Sequence, residues 1–322
     1  MTGVEEWSEI LISQAAGGDL PDPAPPTPDE VRERMRLLAL PTVDHDAVLA
    51  TQPDVVRTPQ LWHALRSCLV TLFDGPPLQE PNWPDAPAEL DAAGRYFYVH
   101  LYLLALPRTC DEQRRNGIPD DVVAATLADV GAKLSTYRLG HHTGGFDRQQ
   151  WAVRHFRGTL HRLGRLQFER LPIDATATGG APGPDGPADG EPVLSVHIPG
   201  DGPLRPADCD ASLRAAAEFV AEQFPQERFR FAMCSSWLLD EQLAEYLPRE
   251  ANIVDFQRRF TRFGDRPIAD DDVLEFVFHA PRGTADLDRL PQDTALQRAI
   301  VRHLRDGRHW RLGHGWTPLV GG

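Results

Sequence analysis

Leu194–Leu204, LSVHIPGDGPL, sets the reading of the whole chain. Leu194, Val196 and Ile198 alternate with Ser195 and His197, which puts aliphatic side chains on one face of a strand and a hydroxyl and an imidazole on the other. Pro199 ends the alternation, and Gly200-Asp201-Gly202-Pro203 turns the chain toward a helical run that starts near Asp208. A strand, an open loop and a helix N-terminus in series can present backbone N–H groups to an anion.

Upstream, Leu166 and Phe168 alternate with Arg165, Gln167 and Glu169 as in a strand, and Gly164 is placed to stop a helix before it. Residues 172–191 are poor in apolar side chains and rich in Gly and Pro, so they read as a flexible insertion between strands. The simplest connection pairs Arg165–Leu171 antiparallel with Pro192–Pro199. Downstream, Leu213, Ala216, Ala217, Val220 and Phe224 form one helical stripe, and Phe229–Asp240 is apolar enough for a central strand. Strand, helix, strand predicts a parallel crossover. Beyond it come a short helix at Glu241–Leu247, a helix capped by Asn252, and an antiparallel pair formed by Arg258–Gly264 and Asp272–Ala280. A helix near Thr294–Arg305 precedes HWRLGHGWTPL, read as strand or coil.

The amino-terminal half has a different texture. Its first 26 residues, a short amphipathic piece followed by GGDLPDPAPP, read as a flexible tail. Thr27-Pro28-Asp29-Glu30 is a capping box, and Thr58-Pro59 repeats the cap-then-proline signal. A run apolar on most faces follows Pro87, and another helix is expected from Ile118 to about Tyr137. Asp147–Gln150 resembles a further capping box, opening one helix through WAVRHFRGTLHRL. The expected domains are therefore a helical one over 27–146 and a mixed one over 147–322.

A formal net charge of −14 across 322 residues argues against nucleic acid or an anionic membrane as the main partner. The start, MTGVEEWSEI, carries acids where a signal peptide has basic residues, and no apolar run approaches the ~20 residues needed to cross a bilayer. A cytoplasmic protein is expected. Cys68, Cys110, Cys209 and Cys234 are scattered, which predicts free thiols. His141, His142, His155 and His161 match no metal-ligand spacing, so no metal site is assigned.

Five segments carry a resemblance: GRLQFE (Gly164–Glu169), VHIPGDGPL (Val196–Leu204), CDASL (Cys209–Leu213), SWLLD (Ser236–Asp240) and NIVDF (Asn252–Phe256). Together with the order of elements they resemble a bacterial family in which a helical N-acyltransferase N-terminal domain precedes a GNAT-like C-terminal domain. The resemblance implies an α+β protein, with a helical N-terminal domain packed on a GNAT-like mixed β-sheet domain with flanking helices. It implies acyl transfer from a thioester to an amine acceptor by direct attack. The donor would be acyl-CoA or a phosphopantetheine-linked acyl group on an acyl carrier protein, used as substrate with no tightly bound cofactor. A Cys-dependent thioesterase or amidase and a non-catalytic acyl-CoA or carrier-protein binding module are the alternatives. Where most GNAT proteins carry Arg/Gln-x-x-Gly-x-Gly/Ala, this chain has GDGPLRPADCDASL, whose Asp201, Asp208 and Asp210 would repel phosphate unless turned away, with Arg205 as the local counter-charge.

Within that frame His197 is the candidate base, because an imidazole titrates near neutrality, and Ser195 would orient it or relay a proton. Cys234 with His197 and either Glu169 or Glu275 would make an acyl-enzyme instead. Glu275 is alternatively a base of raised pKa or an ion-pair partner of Arg259 or Arg262. Ile198, Gly200, Gly202, Leu204 and Arg205 are assigned to the donor from the loop side, and Ser235, Ser236 and Trp237 from the second strand. Arg298, Arg302 and Arg305 lie along one helical side that could meet a donor phosphate.

Overall fold

Thr27 opens the first well-capped helix as its sequence requires: its Oγ1 accepts from the Glu30 N–H, and the Glu30 carboxylate accepts from the Thr27 N–H at 2.7 Å. The computed structural model describes residues 3–15 and 23–319. The chain forms two compact units that divide between His161 and Arg162. No helix among the described residues is long and apolar enough to cross a membrane.

The first unit is helical: α1 (Gly3–Ser13), α2 (Pro28–Leu37), α3 (His45–Ala50), α4 (Pro59–Asp74), α5 (Asp91–Arg95), α6 (Phe97–Arg115), α7 (Asp120–Leu127), α8 (Asp129–His141) and α9 (Gln149–Phe156). α1 corrects the expectation of a tail at its own residues. Trp7 and Leu11 are buried, and the Trp7 indole donates to the Pro84 carbonyl and meets the Phe97 ring edge-on. Residues 16–22 of the expected tail lie outside the described residues.

α6 is buried along most of its length, and it runs through Pro107, where a proline removes one helical donor. The carbonyl that this frees belongs to Leu103, and Arg34 of α2 donates to it at 3.1 Å. The expected single helix after Ile118 is two, because the Gly131 N–H bonds to the Leu38 carbonyl rather than continuing α7. α9 ends at Phe156 and lies in the first unit, not the second. Its N-cap is Arg148, with no side-chain cap bond, so the Asp147 box does not form. Gly158 stops it: φ is +67°, and a Cβ there would come within 2.2 Å of the Gln113 amide nitrogen.

α8 and α9 meet in a buried polar cluster. The Trp151 indole donates to Asp129 Oδ2 at 2.8 Å, and His155 Nε2 lies 3.3 Å from the same oxygen. Burial pushes the Asp129 carboxyl up, but the hydrogen bond and charge of His155, the Lys133 ammonium and the indole outweigh it and hold Asp129 well below the ordinary carboxylate range. The stability this contributes is fully present above the unfolded value of about 4 and is lost as pH falls toward the depressed folded value. Asp129→Asn is therefore expected to flatten the acid limb of a urea-midpoint-against-pH curve; an unchanged slope below pH about 4 would contradict the assignment.

Among the described residues the chain's one sheet has six strands, and the first, β1 (Leu160–Leu163), spans the division while the other five lie in the second unit. β2 (Leu166–Pro172), β3 (Pro192–His197), α10 (Pro206–Gln223), β4 (Phe231–Ser236), α11 (Asn252–Gln257), β5 (Thr261–Phe263), α12 (Asp270–Phe278), α13 (Ala295–Arg305) and β6 (Gly313–Pro318) follow. Strand order is β1-β2-β3-β4-β6-β5. β2 and β3 pair antiparallel, β3 and β4 parallel across α10, and β6 pairs antiparallel with both β4 and β5. α10 closes on one sheet face through Ser212, whose Oγ accepts from the Arg165 and Leu166 N–H groups.

Two elements differ from the sequence reading. Asp272–Ala280 is not a strand: Asp270, Asp271 and Asp272 occupy the first turn of α12, where carboxylates favour the positive helix end, and Val273 joins a core with Trp237, Ile300 and Trp310. β5 therefore pairs with β6, whose Gly313 and Gly315 allow Leu239 and Phe260 to lie against the strand. Residues 172–191 are tied down rather than loose. Ile173 is buried beside Val193, Phe231, Met233 and Trp316; the Glu191 carbonyl accepts from the Ile173 N–H; and Arg230 grips the Glu191 carboxylate with two bonds of 2.8 and 2.9 Å.

Candidate active site

The register gathers polar side chains on one face. Directly paired residues share a face, so Gln167 with His197, Glu169 with Ser195, Ser195 with Met233, Met233 with Trp316 and Ser235 with His314 form one row across β2, β3, β4 and β6. Within it His197 Nε2 lies 2.9 Å from Glu169 Oε2. Glu169 is buried and His197 partly exposed. Ser195 lies beside them, buried.

The parallel ladder between β3 and β4 consists of Leu194↔Ala232 and Ser195↔Met233. Both strands run on to His197 and Ser236, but backbone pairing between them stops, whereas β2 with β3 and β4 with β6 each pair over six residues. An opening between two neighbouring strands exposes main-chain donors and acceptors along its edges. His197 stands on one edge and Ser235 on the other, each two residues past the last pair and on the same face.

The loop after β3 is held by Arg162 of β1 and Arg165 of the β1–β2 turn. Arg165 donates to the carbonyls of Pro199, Gly202 and Pro203, and Arg162 pairs with Asp201 at 2.6 Å. Asp210 pairs with Arg259 at 2.8 Å, and Asp208 lies 3.8 Å from Arg205. Each carboxylate that seemed hostile to phosphate thus has a guanidinium beside it. Arg205 and Pro206 then lead into α10, with Gly200 facing open space, Gly202 against Arg165 and Leu204 buried.

Several sequence candidates are not brought to this face. Cys234 follows Met233 in the strand and so projects to the opposite side; it is fully buried, and that burial pushes its thiol up to about 12. It forms no nucleophile with His197. Cys234→Ala is expected to retain thiol release from a thioester donor, and loss of that release in the variant would restore the cysteine as a nucleophile. Glu275 sits on α12, where Arg282 donates to it at 3.1 Å, while Arg259 pairs with Asp210 and Asp255 and Arg262 pairs with Glu241. Trp237 belongs to the core with Leu243, Val254 and Trp310 rather than to a lining, and the Ser236 hydroxyl accepts from the Leu238 N–H. Arg298 caps loop carbonyls at Gln292 and Asp293, Arg302 lies by Asp306 and Arg305 by Asp288.

Sequence reasoning passed over two residues. His314 Nδ1 and Ser235 Oγ are 2.8 Å apart. Gln167 is buried, and its amide nitrogen has no hydrogen-bond partner. For Gln167 the signal was its parity with Glu169 in the β2 alternation; for His314 it was the place between Gly313 and Gly315, visible only once β6 is a strand inside the sheet.

Comparison with known proteins fits this geometry. An N-acyltransferase N-terminal domain matches residues 29–158, and a GNAT-like C-terminal domain matches residues 160–317. An acyltransferase solved in complex with decanoyl-CoA and teicoplanin is 35% identical, with a TM-score of 0.85 over 98% of this chain and 94% of that one. An acyltransferase mutant in complex with octanoyl-CoA is 35% identical at a TM-score of 0.84, over 98% and 94%. One in complex with CoA and 10C-teicoplanin is 34% identical at 0.85, over the same shares. No curated protein sequence matches. On its two matched domains and these relatives, the chain belongs to the GNAT-like acyltransferases that carry an N-acyltransferase N-terminal domain.

Proposed function

We propose that this acyltransferase moves a fatty acyl group from acyl-CoA to an amine on a glycopeptide-class acceptor, by direct attack of the amine on the thioester, with His197 as the base. The observation that carries it is the His197–Glu169 pair at 2.9 Å on the edge of the β3–β4 opening. With Nε2–H donated to Glu169, the basic atom of the imidazole is Nδ1. As Nδ1 takes the proton from the attacking amine, the Glu169 carboxylate stabilises the imidazolium that forms. Backbone N–H groups on the opened edge of β3 polarise the thioester carbonyl and hold the developing oxyanion. The C–S bond then breaks and the thiolate leaves.

Ser195 supports the pair from the same face, and the unpartnered Gln167 amide supplies a donor for a carbonyl or hydroxyl of either substrate. The loop over Ile198, Gly200, Gly202 and Leu204, with Arg205 and the other guanidinia around the start of α10, would take the pantetheine arm and pyrophosphate. A carrier-protein phosphopantetheine shares that arm and thioester but lacks the nucleotide. Thermal shift and thiol release with a series of acyl-CoAs and acyl-carrier proteins, with and without an amine glycopeptide, test the reading. Stabilisation by acyl-CoA with amine-dependent thiol release is expected. Absence of any response to acyl-CoA, or release indifferent to every amine, would overturn it.

A further inference from the structure

Across the opening from His197, the far edge carries a second set of reactive groups. Ser235 is exposed, and its Oγ lies 2.8 Å from His314 Nδ1. His314 is buried, and its Nε2 has no hydrogen bond but faces Asp265 Oδ1 at 3.7 Å. Asp265 is itself held in place: its N–H donates to the Thr178 carbonyl at 3.0 Å, and Gly179 passes so close that a Cβ there would meet the carboxylate at 2.3 Å. The 172–191 insertion therefore braces the carboxylate, and β6 carries the imidazole to the serine.

We propose that Ser235, with His314 as its base and Asp265 orienting the ring, accepts the acyl group itself, giving the protein an acceptor-independent acyl-CoA hydrolase activity through a Ser235 ester. The proposal rests on acyl-CoA as donor. A thioester carbonyl lying in the β3–β4 opening is within reach of both edges, because the two strands part from a spacing of about 5 Å. His197 would activate an incoming amine from one side, and His314 would activate Ser235 on the other.

The tautomer suits this role. Nε2–H directed at Asp265 leaves Nδ1 to accept the Ser235 proton. Burial pushes His314 below its ordinary value, with Asp265 opposing, so the ring is unprotonated at neutral pH and Nδ1 is open to a proton. Ser235 Oγ attacks the carbonyl carbon as its proton passes to Nδ1. The tetrahedral intermediate collapses with the C–S electron pair staying on sulfur, and the Nδ1 proton moves to that sulfur, so CoA leaves as the thiol. Water then attacks the ester, giving one proton to Nδ1, from which the departing Ser235 oxygen recovers it. Acyl-CoA and water have become a fatty acid and free CoA.

The test uses the full chain with decanoyl-CoA and no amine, followed by intact mass and peptide mapping. In parallel, p-nitrophenyl decanoate acylates an activated serine without any CoA site, and thermal shift reports decanoyl-CoA binding. An acyl adduct on Ser235, a p-nitrophenol burst and amine-independent thiol release are expected. In Ser235→Ala the adduct and burst disappear and the release falls by about 10²-fold or more. In Ser235→Cys an adduct returns as a thioester cleaved by neutral hydroxylamine. A burst mapped to Ser235 without stabilisation by decanoyl-CoA upholds the serine chemistry and overturns the donor. Stabilisation without an adduct from either reagent, or release and burst unchanged in Ser235→Ala, overturns the inference. Neither stabilisation nor adduct overturns both.

Discussion

His197→Ala is expected to lower kcat for amine acylation by about 10²- to 10⁴-fold while thermal stabilisation by acyl-CoA is retained. The amine arrives as an ammonium or becomes one on attack, so a group near neutrality must take its proton before the intermediate can collapse forward. In the proposed reaction that group is His197, which stands at the edge where the β3–β4 ladder ends, with Glu169 at 2.9 Å from the ring. Donor binding is assigned to the loop after β3, whose carbonyls Arg165 fixes independently of the imidazole. Glu169→Gln separates orientation from charge: it preserves a hydrogen-bond acceptor and removes the carboxylate that stabilises the imidazolium, so its kcat should lie between wild type and His197→Ala. Steady-state thiol release at saturating donor and amine measures both variants. A wild-type rate in His197→Ala would remove this residue from the mechanism.

Asp240→Ala is expected to destabilise the protein by about 2–3 kcal/mol, read from the urea midpoint. The Asp240 side chain is completely buried. Its two oxygens accept from Arg266 Nη2 at 2.8 Å, the Arg311 N–H at 2.8 Å, the Gln242 N–H at 3.1 Å and Gln242 Nε2 at 2.9 Å. Truncation removes all four of these contacts at once from a fully buried carboxylate, which costs more than losing an exposed pair. Arg289 with Asp286, both exposed, sets the scale for comparison: Asp286→Ala should cost at most about 1 kcal/mol. Equal midpoints for the two variants would show that Asp240 does not organise the SWLLD corner between β4 and β6.

Much of the scaffold was legible because it depends on local chemistry. The Thr27 capping box, the β2–β3 hairpin around residues 172–191 and the β3–α10–β4 crossover follow from short-range signals, and the structure has all three. The misreadings lie where local pattern is ambiguous. DVLEFVF alternates like a strand, yet three aspartates at a helix start and the burial of Val273 against Trp310 make it α12. Arg157-Gly158 continues an apparent helix until a positive φ at Gly158 ends it. HWRLGHGWTPL left strand and coil open because glycine weakens strand propensity; it is the strand β6, and Gly313 and Gly315 are what allow it to lie beneath Leu239 and Phe260.

The sequence by itself determined that the chain has a helical half and a mixed-sheet half, that Ser195 and His197 share a strand face, and that a loop and helix follow them. Those properties follow from side-chain periodicity, proline and capping residues, all of which act within a few positions. Only the tertiary structure decided which groups meet His197. Glu169 was one of two carboxylates the sequence allowed, and antiparallel register selects it while α12 carries Glu275 to Arg282. Cys234 is separated from His197 by the two-residue period of a strand, and Ser235 is joined to His314 across 79 positions of sequence by pairing with β6. Register and strand order arise from burying one whole face at once, a long-range requirement that no short stretch encodes.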